Sequence, residues 1–155
     1  MQNTTLCYIE RDGSYLMLHR SSKKNDGSGG KWMGIGGHFE EGESPYDCVI
    51  REVYEESSLK LISPKYRAVV TFSSDKYESE QMHLFTCDSF EGEAGECNEG
   101  ELQWIKKQDI SKLNMWCGDI IFLNYLDTRN EFFSLKLEYK GEELISYYLD
   151  GVKIK

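Results

Sequence analysis

Three glutamates, Glu52, Glu55 and Glu56, stand at i, i+3 and i+4 within "REVYEES", residues 51–57. On a helix turning about 100° per residue they project from one arc roughly 100° wide. Like charges at that spacing repel by about a few tenths of a kcal/mol each, and a solvated face would intersperse lysines. Here Arg51 is the only cation in the helix, and Gly36 to Leu59 hold six glutamates and one aspartate in a chain of net charge −9. Two readings follow: a solvated face, or a seat for something strongly positive. Hard divalent cations want oxygen, and Mg2+ takes one or two carboxylates, waters and substrate phosphates. Neither cysteine nor histidine belongs to the trio, which points away from zinc. Gly34, Gly36, Gly37 and Gly42 lie just upstream, where they let backbone approach closely and leave carbonyl oxygens near the helix start. That combination favours the metal seat.

The elements that must position these groups follow from pattern. Ser44-Pro45 opens a helix, with Ser44 as N-cap, Pro45 at the first helical position and Asp47 in the first turn. It runs to about Ser57, and Tyr46, Val49, Ile50 and Val53 form the stripe expected to be buried. "LCYIERDGSYLMLHR", residues 6–20, reads as two strands joined at Asp12-Gly13. A polar loop is expected over 21–31, then a short extended run, "WMGIGGHFEEGE". "YRAVVTFSS" and "QMHLFTCDSF" read as strands, "EGEAGECNEGE" as an acidic loop and "LQWI" as a short strand. A second helix covers "GDIIFLNYLDTR", with Ile120, Ile121, Leu123 and Leu126 available for its buried side. The tail folds back as a hairpin around Lys140-Gly141. The mixture predicts an α/β domain, a mixed β-sheet with helices on its faces.

The 155 residues match one domain, 1–155, long enough to bury a core. Ten tyrosines, seven phenylalanines and three tryptophans supply the packing, so disorder is not expected. No apolar run reaches the length of a membrane span, and the start moves straight into a strand pattern without a signal peptide, so a cytoplasmic location and no membrane partner are expected. Cys7, Cys48, Cys87, Cys97 and Cys117 never form C-x-x-C, which argues for free thiols rather than a disulfide framework or zinc site. The acidic balance argues against a nucleic acid polymer as partner. A small anionic ligand fits if cations bridge the two.

Gly37, Glu43, Arg51-Glu52, Val53, Glu55-Glu56 and Leu59 together resemble the signature box of the Nudix hydrolases, with Ser58 where that box closes on glycine. The resemblance implies a Nudix-type α/β/α sandwich and a Mg2+ cofactor, with Mn2+ as the alternative. It implies Glu52, Glu55 and Glu56 as metal ligands and catalytic groups, joined by the Gly37 carbonyl and one later loop acid. Glu99 is the choice for that acid, with Glu96 and Glu101 as alternatives. Glu43 and Arg51 would pair and orient the helix, as catalytic groups or as a structural salt bridge.

Over nearly the whole chain the sequence looks like the MutT-type, 8-oxo-dGTP diphosphatase-like subgroup, small bacterial members above all. That implies hydrolysis of nucleoside triphosphates, oxidised purines such as 8-oxo-dGTP, to monophosphate and pyrophosphate, as nucleotide-pool sanitation linked to DNA repair. Arg20 matches a phosphate-contacting position; a surface scaffold arginine is its alternative role. Trp116 and Asp119 in "MWCGD" would stack on and hydrogen-bond the base; core packing and a helix cap are their alternative roles. Met33 stands where some relatives carry an asparagine that reads the purine, and would either line the base pocket apolarly or mark a different base preference. The alternatives for the whole chain are hydrolysis of ADP-ribose or a nucleotide sugar, or a non-catalytic nucleotide-binding Nudix module. The expected partner is a small nucleotide, and the expected assembly a monomer or homodimer.

Overall fold

Strand β1 (Gln2–Arg11) is buried for six consecutive residues, Thr4 to Ile9, which places it inside a sheet covered on both faces. The structure, a computed structural model, describes residues 1–21 and 27–155. After β1 come β2 (Ser14–Arg20), β3 (Trp32–Met33), α1 (Pro45–Ser57), β4 (Lys60–Leu61), β5 (Lys65–Ser74) and β6 (Glu80–Cys87). Then follow β7 (Phe90–Glu91), β8 (Gly100–Lys106), a 3₁₀ turn (Lys107–Lys112), α2 (Cys117–Thr128), β9 (Phe133–Lys140), β10 (Glu143–Leu149) and β11 (Val152–Lys153). The expected loop at 21–31 falls partly on residues 22–26, outside the described set.

The main sheet runs β11-β10-β9-β5-β6-β1-β2-β3, with β8 also paired to β2. It is mixed: β1–β6 and β5–β9 are parallel, and β1–β2, β5–β6 and β9–β10 antiparallel. Alternation along β1 sorts its side chains between two cores. Leu6 and Tyr8 join Val70, Leu84, Leu135 and the α2 residues Phe122, Leu123 and Leu126 on one face. Cys7 and Ile9 join Ile35, Phe85 and the α1 residues Val49 and Val53 on the other. The result is the expected α/β/α sandwich.

Helix α1 starts where the sequence places it. Ser44 Oγ accepts from the Asp47 N–H at 3.1 Å while Asp47 Oδ2 accepts from the Ser44 N–H at 3.0 Å, a reciprocal cap. It ends at Ser58, whose φ of +67° is the left-handed conformation that glycine adopts at lower cost. The expected buried stripe, however, is only half right. Val49 and Val53 are buried, with Cys48 and Ser57 beside them, but Tyr46 and Ile50 are 45% and 41% exposed. At about 100° per residue the buried arc is turned roughly 60° from the apolar one, towards the glutamates. Cys48 explains the rotation, because its thiol lies 3.3 Å from Thr5 Oγ1 and pins that side of the helix to β1. In α2 the expected Leu123 and Leu126 are buried, but Phe122 takes the place of Ile120 and Ile121, which are half-buried.

Candidate active site

The turned helix gives the acidic residues unequal surroundings. The Glu52 side chain is 14% exposed and that of Glu55 56%. Glu56 is half-buried, and its Oε2 has no hydrogen-bond partner among the described residues. Burying a carboxylate without a partner is costly, so something must compensate at this position. Burial, followed by the charges of Glu52 and Glu99 and only partly offset by Arg20, pushes the Glu56 carboxyl up to about 8.

Glycines at 36 and 37 make this arrangement possible. The segment carrying them lies along β1, where the Thr5 N–H donates to the Gly37 carbonyl at 2.9 Å. A Cβ on Gly36 would stand 1.8 Å from the Thr5 carbonyl oxygen, and one on Gly37 would stand 2.4 Å from Glu52 Cδ. Backbone therefore sits directly under the Glu52 carboxyl.

Arg51 holds the outer side of the cluster. Its Nε and Nη2 donate to Glu43 at 2.7 and 2.8 Å, and Nη1 donates to Glu52 at 2.8 Å and to Glu55 at 3.2 Å. The bidentate pair holds the Glu43 carboxyl down at about 2, mainly through the Arg51 hydrogen bonds. Glu43, Arg51 and Glu55 thus form a rim outside the cleft.

The cleft itself has a volume of about 480 Å³. Among the expected site residues it gathers Arg20, Met33, Gly37, Glu52, Glu56, Glu99, Trp116 and Asp119. Arg20 approaches Glu99 at 3.7 Å. Glu96 and Glu101 are exposed and do not line it. Asp119 is buried in the first turn of α2 and makes no capping bond; the N-cap is Trp116. Burial first, then the charge of Glu80, pushes Asp119 up to about 7. The helix dipole, worth about 1 kcal/mol in the opposite sense, does not offset that burial.

Sequence reasoning missed the rest of this wall. Trp116 meets Tyr139 and Phe72 edge-on, with ring centroids 5.0 and 5.7 Å apart, and Tyr77 at 6.0 Å. Lys31 Nζ lies 5.1 Å from the Trp116 ring centre. The Tyr139 hydroxyl accepts from the Gly118 N–H at 2.7 Å, so a residue of β9 caps the helix that Trp116 cannot cap. Period-two alternation in β6 and β9 marks Glu80/Met82 and Leu137/Tyr139 as same-face pairs. That alternation was the available signal.

Among the described residues no three acidic, histidine or cysteine side chains converge as a finished metal cage. The donors nonetheless fit a hard cation: oxygen only, with two half-buried carboxylates from Glu52 and Glu56, the nearby Glu99, and Gly37 in the same cleft, its carbonyl keeping one lone pair beyond the bond from the Thr5 N–H. A divalent ion there would offset the mutual repulsion that raises Glu56.

The linkage gives an expected result in chelator. Glu56 and Asp119 are raised from 4.5 to about 8 and from 3.8 to about 7, so the folded state binds their protons more tightly. Their stabilising contribution is full below the unfolded values and lost as pH rises through about 7 to 8. Glu43 has the opposite sign, contributing above 4.5 and losing that contribution as pH falls through about 2. Melting temperature should therefore fall between about pH 4.5 and 8, and Mg2+ or Mn2+ should raise it more at pH 8 than at pH 5. A metal-free melting curve flat across that range would contradict the burial of these carboxyls.

An acid-lined cleft between sheet and helix, entered by glycine-bearing backbone, is the plan of one hydrolase class. The NUDIX domain family model matches residues 2–126, and the chain belongs to the Nudix family, whose members generally use a divalent metal. Within that family it is MutT-like. It is 35% identical over 161 residues to an uncharacterized Nudix hydrolase, YvcI, of Bacillus subtilis (strain 168), covering 100% of this chain and 98% of that one. It is 28% identical to an oxidized purine nucleoside triphosphate hydrolase of Danio rerio, covering 96% and 94%. A crystal structure of a mutator MutT protein from Bacillus halodurans superposes with a TM-score of 0.85 at 26% identity, over 97% and 98% of the two chains. No helix among the described residues is long and apolar enough to cross a membrane.

Proposed function

We propose that the protein hydrolyses a phosphoanhydride bond of nucleoside triphosphates, with water, to a nucleoside monophosphate and pyrophosphate. Oxidised purine nucleotides such as 8-oxo-dGTP are the favoured substrates. The observation that carries the reading is the placement of Glu52 and Glu56 on the buried side of α1, in one cleft with the aromatic wall around Trp116. Carboxylates held against that cost imply a cationic partner.

In this reading Glu52, Glu56 and Glu99, with Gly37, would hold Mg2+ or Mn2+ inside the cleft, and Glu55 would join them from the rim, releasing its Arg51 hydrogen bond. When bound, the ion supplies charge neutralisation at the phosphoryl oxygens and activation of water. The chain's own residues do the rest. Arg20 and Lys31, both in the cleft, meet phosphate oxygens left uncovered by the metal. Arg51 keeps the Glu52 and Glu55 carboxyls oriented and Glu43 fixes Arg51. Trp116 offers its indole face to a purine, Met33 adds an apolar flank, and Asp119 accepts hydrogen bonds from the base edge. The oxidized purine hydrolases of Danio rerio and Mus musculus among its relatives support that choice of base.

The test is a panel of nucleotides assayed with Mg2+, products separated by chromatography. Monophosphate and pyrophosphate from an oxidised purine triphosphate, at higher kcat/KM than from the unmodified nucleotide, is the expected result. Preferential cleavage of ADP-ribose or a nucleotide sugar would replace it, and tight binding without product would reduce the protein to a nucleotide sensor.

A further inference from the structure

The aromatic wall of the cleft carries a second carboxyl that the sequence motif does not include. Glu80 opens β6, and alternation puts it on the same face as Met82, with Thr4 and Leu6 of the adjacent β1 alongside. The Thr4 hydroxyl donates to Glu80 Oε2 at 3.2 Å, which fixes one carboxyl oxygen. Asp119 reaches the same cleft from the first turn of α2, and Glu80 is the charge that acts on it most strongly. The apolar and aromatic part of the lining is Leu6, Met33, Phe72, Met82, Trp116 and Tyr139, and Gln2, the β1 partner of Glu80, lines the cleft beside it. Two of the remaining polar groups are already engaged: the Tyr139 hydroxyl with the Gly118 N–H, and the Trp116 Nε1–H with Ser28 Oγ.

A flat base entering such a wall meets carboxyl oxygens from two different elements. A guanine-type base offers adjacent N–H donors, at the ring nitrogen and the exocyclic amine. An adenine-type base offers the amine alone, beside a ring nitrogen whose lone pair would face a carboxylate oxygen. Unpaired or like-facing polar groups in a dry site discriminate more strongly than a change of apolar volume. We propose that Glu80 is a specificity-determining residue, the second carboxyl that with Asp119 selects guanine-type purines over adenine-type ones. The assignment rests on the reading of this cleft as a nucleotide site.

Binding of nucleoside monophosphates requires no turnover, so it tests Glu80 independently of the hydrolysis panel. The native protein, Glu80→Gln and Thr4→Val are titrated by calorimetry with 8-oxo-dGMP, dGMP and dAMP, and separately with pyrophosphate. Native protein should bind the guanine-type nucleotides more tightly than dAMP. Glu80→Gln should weaken guanine-type binding on the order of tenfold, leave dAMP within about twofold, and leave pyrophosphate unchanged. Thr4→Val, which frees the carboxyl from its anchor, should shift the ratio in the same direction by less. Unchanged melting temperatures would show that both variants fold. Equal binding of dGMP and dAMP by the native protein, or an unaltered ratio in folded Glu80→Gln, overturns the assignment even if triphosphates are hydrolysed.

Discussion

Glu56→Gln is expected to lower kcat by about 10²-fold or more while the metal-free protein becomes more stable at pH 8. The two effects have one cause. Glu56 is a half-buried carboxyl whose Oε2 has no partner among the described residues, pushed up to about 8 by burial and by Glu52 and Glu99. The amide has the same shape without the charge, so it removes the repulsion that opposes folding above about pH 5. The same loss of charge removes an oxygen anion from the proposed cation seat, and Mn2+ affinity should fall by at least about tenfold. Glu55→Gln should reduce kcat similarly without the gain in stability, because Glu55 is exposed and paired with Arg51. Steady-state kinetics with calorimetric melting at pH 5 and 8 checks both. Full activity in Glu56→Gln would remove this carboxyl from the chemistry.

The adjacent glycines should separate folding from function. Gly36→Ala puts a methyl group 1.8 Å from the Thr5 carbonyl oxygen, which is backbone inside the central sheet and cannot move aside. The expected cost is about 3 kcal/mol or more, read as failure to accumulate folded protein or a large drop in melting temperature. Gly37→Ala meets instead the end of the Glu52 side chain, 2.4 Å from Cδ, which can swing away. That variant should fold with at most a modest loss of stability, yet lose about 10²-fold in kcat/KM, because a carboxylate displaced by about 1 Å no longer meets the phosphates correctly. Circular dichroism melts together with kinetics distinguish the two. Equal stability and activity in both would show that the segment is not packed as described.

Local signals carried the parts of the fold that depend on neighbours in sequence. The first hairpin, the C-terminal hairpin and α1 lie where turn residues and the Ser44-Pro45-Asp47 pattern place them. The rotational setting of α1 did not follow from its apolar stripe. Tyr46 and Ile50 count as apolar, but Cys48 and Ser57, small enough to pack closely, take the buried positions. Periodicity ranks side chains by polarity and is blind to which shapes the sheet accepts. In α2 a nearly continuous apolar run, "IIFL", gave no unique stripe, and packing against Tyr8 selected Phe122.

The site divides along the same line. The metal-seat candidates sit within twenty residues of one another, apart from Glu99; helical spacing groups the three glutamates, and the family resemblance adds Gly37. Phe72, Tyr77, Glu80 and Tyr139 come from separate strands and loops, and the β1–β6, β5–β6 and β5–β9 pairings bring them into one cleft with Trp116. For Glu99 over Glu96 and Glu101 the family resemblance supplied the choice and spacing did not; the path of the loop turns Glu99 towards Arg20 in the cleft and leaves the other two exposed.

The measurement that tests the central claim most directly is a crystal structure with magnesium and a non-hydrolysable nucleoside triphosphate analogue. Cation density coordinated by Glu52 and Glu56, with phosphates beside Arg20 and the base against Trp116, is the predicted result. A nucleotide bound elsewhere, with those two carboxylates free of any ion, would contradict it.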